Sequence, residues 1–131
     1  MPPRRRAAPL VLALAALGMA LCSLPHALGA WPHFREGLVA LGAEPHLIGA
    51  IGSAWAFGTV MMLASGAVVG AQAWRAWRDQ PLHAATLLPL GLAWAGYGLA
   101  AFALRDFNTH YLAFVACGAA LLVVLALPRV R

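Results

Sequence analysis

Residues 47–73 read LIGAIGSAWAFGTVMMLASGAVVGAQA and contain no charged side chain. At about 1.5 Å per residue, a helix over this stretch exceeds the roughly 20 residues that a bilayer requires. Small residues recur along it at Gly49, Gly52, Ser53, Gly58, Ser65, Gly66 and Gly70. Such a helix suits close contact with other helices inside a membrane. The stretch decides the fold class: an all-α transmembrane bundle, with lipid as its solvent.

The rest of the composition agrees. The chain has 131 residues, of which 63% are hydrophobic and 10% charged, and its mean hydropathy is +0.78. A soluble domain of this size needs more polar surface. One integral membrane domain, residues 1–131, is the natural organisation. The net charge is +5, but the arginines cluster at the ends of apolar segments, where basic residues set membrane orientation. No basic patch remains for nucleic acid once those positions are removed. The nine basic residues are all Arg, a side chain that keeps its charge beside lipid.

Four helices follow from the pattern, at about 7–29, 45–77, 82–104 and 109–127. The basic, proline-rich start MPPRRRAAP leads into an apolar run from Leu10 to Leu24, which Pro25 bends or ends. The same arrangement resembles a secretory signal, with small residues at Ala27-Leu28-Gly29 and cleavage before Ala30. We favour an uncleaved first helix, because the run reaches spanning length once Ala7 and Ala8 are counted. Residues 31–44 form an external loop. Within it Phe34, Leu38 and Leu41 share a helical face, which suits a short helix lying on the membrane surface, although Gly37 and Gly42 weaken that helix.

Glu44 and Pro45 start the second helix. Trp74 and Trp77 with Arg75 and Arg78 anchor its end, and Arg78-Asp79-Gln80-Pro81 is a turn. Pro89 is placed to kink the third helix. Asn108 caps the fourth, and Pro128 stops it.

Four spans place both termini on one side. That side collects Arg4, Arg5, Arg6, Arg75, Arg78, Arg129 and Arg131, against Arg35 and Arg105 on the other. The positive-inside rule then puts both termini in the cytoplasm. In size and hydropathy the chain resembles small four-span proteins of bacterial inner membranes, which implies that location.

Several groups of residues invite a chemical reading. Gly66 and Gly70 form a GxxxG pair, and Gly49 with Ser53 a related small pair. Both mark helix packing, within the monomer or in a homo-oligomer. His26, His33, His46 and His110 fall toward the outer side with Glu36, Glu44 and Asp106. His33, Glu36 and His46 are the candidates for a divalent metal, although no HExxH-like spacing is present. His26 and His110 are the candidate axial ligands for a haem between helices, at poorly matched depths. Neither haem nor metal is the expected state; interfacial, solvated histidines are. Cys22 and Cys117 lie at equal depth, which permits a disulfide if the first and fourth helices are neighbours, but buried free thiols are the ordinary reading. Finally Ser53, Trp55, Trp94 and Tyr97 belong to a polar and aromatic cluster in the outer half. A small apolar ligand such as a lipid, quinone or isoprenoid would find its pocket there.

No Asp, Glu, Lys or Arg falls within the membrane core of any span. Ion-coupled carriers usually need such a group, and catalysis needs a nucleophile or a tuned acid–base pair. Enzymatic chemistry is therefore disfavoured. The leading expectation is a non-enzymatic membrane component that binds membrane lipids or a partner membrane protein through its helix faces. A redox or metal-handling protein with an external histidine site is the second reading. A small oligomeric carrier or channel is the third.

Overall fold

The computed structural model describes residues 3–127, with side chains from residue 7 onward. Pro128, Arg129 and Arg131, and the side chains of Arg4, Arg5 and Arg6, lie outside the described residues. Helix α1 spans Pro3–Pro25 and passes through a π-helical segment, His26–Ala30, into α2, Trp31–Ala40. Helix α3 spans Pro45–Trp77, α4 Ala84–Leu104, and α5 Leu112–Ala126 after a 3₁₀ turn at Thr109–Tyr111. No strand occurs among the described residues. Four stretches are long and apolar enough to cross a membrane: Ala7–Ala40, Pro45–Trp77, Ala84–Leu104 and Thr109–Ala126.

The buried positions explain why these rods associate. They recur at Leu12, Ala15, Met19 and Ser23 on α1, and at Met62, Ser65, Gly66, Val69 and Ala73 on α3. On α4 they are Leu87, Gly91, Trp94 and Gly98, and on α5 Phe114, Cys117, Gly118, Leu121 and Val124. Apart from the adjacent pairs Ser65–Gly66 and Cys117–Gly118, each set steps by three or four residues, one stripe per helix. The opposite faces are not polar. Leu10, Leu14, Leu17, Leu21 and Leu24 line the outer side of α1, all more than half exposed. A rod that is apolar all round belongs in lipid or in a large protein core, and this chain is too small to supply such a core.

Two seams are built on missing side chains. A Cβ placed on Gly66 would sit 2.9 Å from the Ala16 carbonyl oxygen and 3.3 Å from the Ala20 nitrogen, so the α1 and α3 backbones touch there. A Cβ on Gly118 would fall 2.6 Å from the Gly91 carbonyl oxygen and even closer to the Ala95 nitrogen on α4. One on Gly98 would lie 2.7 Å from the Val115 nitrogen. Antiparallel α1–α3 and α4–α5 pairs result, joined along α1 and α5. The remaining side, α3 against α4, makes no extended contact. In cross-section the bundle is a ring with one side open.

The connections differ from the expected loop. Residues 31–40 are helical, and α2 continues the first rod: Pro25, Ala30 and Trp31 all keep right-handed helical dihedrals. Pro25 does not end the helix: it keeps helical dihedrals, and a π segment, which bonds five residues apart, follows it directly. Nor does α2 form a separate surface helix. It stands beside α3, with Trp31 over Gly52 and Phe34 stacked on Trp55 at 5.5 Å. The true connection is Leu41–Glu44. There Gly42 takes φ +73°, and the Gly42 and Ala43 amides donate to the Val39 and Leu38 carbonyls, a Schellman ending. Asp79, φ 56°, closes α3 in the same way.

The α1–α2 rod, Pro3–Ala40, is about 55 Å long and the 33-residue α3 about 50 Å, whereas the 21-residue α4 measures about 31 Å, close to a hydrocarbon core. Gly18 meets Cys117, so the turn at Asn108 stands level with the π segment. The first hairpin overhangs the second on the side away from the termini. The overhang carries His33, Arg35, Glu36, Glu44 and His46, side chains that belong in water.

Candidate lateral cleft between α3 and α4

The open side of the ring forms a cavity of ≈ 440 Å³, within the usual range for small-molecule sites. Its α3 wall runs from Ile51 to Ser65 and includes Trp55, Gly58 and Met61. The facing wall is Ala93, Trp94 and Tyr97 of α4 with Phe114 of α5, and His26 of the π segment closes the back. The cleft lies in the half of the α4–α5 hairpin away from the termini.

Both ends of the wedge have a local cause. At its vertex, the Gln72 side-chain oxygen accepts the His83 amide at 3.1 Å, satisfying an N–H at the start of α4. The Arg75 guanidinium donates to the Pro81 carbonyl at 3.1 and 3.2 Å. These bonds hold α3 and α4 together at the turn. Higher up, bulky rings occupy the facing walls. Trp94 stacks on Phe114 at 5.3 Å, and Tyr97 meets Phe114 edge-on at 5.1 Å. On the other wall the His26 ring stacks on Trp55 at 4.5 Å, nearly parallel. The Trp55 indole N–H donates to the His26 carbonyl at 2.7 Å. That carbonyl also accepts the Trp31 amide through the π-type bond, so the irregular turn presents an acceptor that α3 uses.

Most polar groups in the spans are already satisfied by their own helix. Ser53 bonds the Gly49 carbonyl at 3.0 Å, Thr59 that of Trp55 at 3.2 Å and Ser65 that of Met61 at 2.8 Å, the usual arrangement for hydroxyls in apolar helices. Three groups on the cleft are different. The His26 ring nitrogens, the Trp94 indole N–H and the Tyr97 hydroxyl find no partner among the described residues. Neither the His26 nor the Trp94 nitrogens are sealed from the surface, and Tyr97 is 51% exposed. All three residues line the cleft.

The structure thus brings Trp55, Trp94 and Tyr97 together with His26. It leaves Ser53 outside the lining, on the exposed side of α3. His110 lies on the 3₁₀ turn, where Asn108 accepts its amide at 3.0 Å, and it does not line the cleft with His26. His33, Glu36 and His46 are exposed on the overhang, and among the described residues no three His, Cys, Asp or Glu side chains are grouped to hold a metal. Gly66 packs on α1, whereas Gly70 reaches only the Ala16 Cβ at 3.9 Å and Gly49 faces open space. Cys22 and Cys117 are free thiols on neighbouring helices. Met61, Met62 and Phe114 complete the lining. Sequence spacing did not single them out, because a methionine or phenylalanine in an apolar helix reads equally well as core or lipid face.

No family model matches the chain, and neither a curated protein nor a solved structure matches it.

Proposed function

We propose that this protein is a multi-pass component of a bacterial inner membrane, with both termini cytoplasmic, that takes up a small apolar amphiphile between α3 and α4. The observation that carries this reading is the open side of the ring. Three sides of the bundle are closed by packing, whereas the fourth holds a cavity lined by aromatic rings and a few polar atoms. Pockets of that composition are where small ligands bind. The arginine distribution supports the orientation. In that orientation the cleft lies in the outer half of the bilayer and opens sideways to lipid. The role is binding rather than catalysis, since the lining has no charged side chain or activated nucleophile.

A dimer through the helix-three glycine pair has less support, because Gly66 is covered by α1.

The reading is tested by native mass spectrometry of protein released from mild detergent. A bound amphiphile of defined mass is expected on the native chain and is lost from Ala93→Trp, which fills the cleft from the α4 wall. Equal occupancy in the two proteins would remove the cleft as the binding site. Orientation is tested separately: a tag on the carboxyl end should be unreachable from outside intact cells.

A further inference from the structure

We propose that the ligand of this cleft is a neutral, flat ring bearing carbonyl oxygens and carrying an apolar tail, the chemistry of a quinone. The inference rests on the cleft being an amphiphile site and adds the class of its head group.

The slot is bounded by rings. Trp55, with His26 stacked on it, forms one wall, and Trp94, Tyr97 and Phe114 form the other. Opposed aromatic walls favour a flat π-system over a flexible acyl chain, because ring pairs gain energy beyond their buried area. The polar groups without partners on the lining residues are of a kind that suits carbonyls. Trp94 offers an N–H donor and Tyr97 an O–H donor from the α4 wall, and His26 provides a ring nitrogen at the back. An indole N–H is a donor only, so its partner must bring an acceptor. In a water-poor setting, unmet donors are costly and a ligand acceptor relieves them.

The lining lacks Asp, Glu, Lys and Arg, so a phosphate, carboxylate or ammonium head group would enter without a counter-charge. That argues for a head group that is polar but uncharged. The cavity of ≈ 440 Å³ admits one ring and the start of a tail, and the open side between α3 and α4 lets the rest of the tail lie in the bilayer.

The test is one-to-one adduct formation by the intact protein in mild detergent, read by native mass spectrometry with a decyl-tailed benzoquinone as the probe. Decanol and decanoic acid carry the same tail without the ring. The quinone is expected to bind at least several-fold more tightly than either. Tyr97→Phe, at an exposed position, should weaken it about two- to tenfold, the effect of one hydrogen bond. Trp94→Phe should do the same, with thermal unfolding of the ligand-free variant measured alongside to separate folding from binding. If decanol or decanoic acid binds as tightly as the quinone, and Ala93→Trp abolishes both, the ring-head inference fails while the cleft remains a site. Quinone binding unaffected by Tyr97→Phe and Trp94→Phe would also overturn it. No adduct with any of the three probes would sink both readings.

Discussion

The half of the bundle near the termini and the half that holds the cleft use the same four helices and pack them differently. Near the termini, Leu12, Ala15, Val69, Ala73, Leu87, Leu121 and Val124 close into a core in which Leu12, Val69, Leu87 and Leu121 are fully buried. The Gln72–His83 bond pins the α3–α4 turn beside it. Toward the far side, α3 and α4 separate, and Trp55, Met61, Trp94 and Tyr97 face a gap. The difference teaches where stability and binding reside. Glycine contacts bring backbones together on two seams, whereas aromatic rings line the open fourth side.

That contrast can be broken at its strongest point first. Gly118→Leu drives a side chain into the α4 backbone at Gly91 and Ala95, an overlap that no rotamer relieves. We expect loss of more than about 3 kcal/mol, or failure to fold, measured by thermal unfolding in detergent. Gly66→Leu intrudes on the α1 backbone with slightly more room, so about 1–3 kcal/mol is expected. Retention of native stability by both variants would show that the seams are not where the bundle is held.

Gln72→Ala removes the acceptor of the His83 amide. It should cost about 1 kcal/mol and widen the wedge at its vertex, seen as faster amide exchange at residues 83–87. Ala93→Trp should change stability least, by under about 0.5 kcal/mol, because its side chain enters the gap rather than a packed seam. A loss there comparable to that of Gly66→Leu would mean that the cleft wall is itself structural.

Much of this architecture was legible beforehand because lipid imposes simple rules. The long uncharged runs, the Arg-Asp-Gln-Pro turn and the Asn108 cap all follow from local chemistry, and they locate the helices within a few residues. Residues 31–40 were the exception. Gly37 and Gly42 read as weakening a short surface helix there, yet the segment is a firm helix continuous with α1, because Trp31 and Phe34 pack on Gly52 and Trp55, partners distant in sequence. Trp55, Trp94 and Tyr97 were legible as one aromatic region. Their facing each other across a gap was not, since which pair of helices stays apart depends on how four stripes interlock. The glycines of α4 and α5 illustrate the point: Gly91, Gly98 and Gly118 do more for packing than the GxxxG pair that catches the eye.

The π segment at residues 26–30 is in effect a single surplus residue, and its consequence is rotational. Each residue turns a helix by about 100°, so without that insertion α2 would present a different flank. Trp31 would swing away from Gly52 and Phe34 from Trp55. One irregular turn thereby keys the overhanging arm to the chamber beside it.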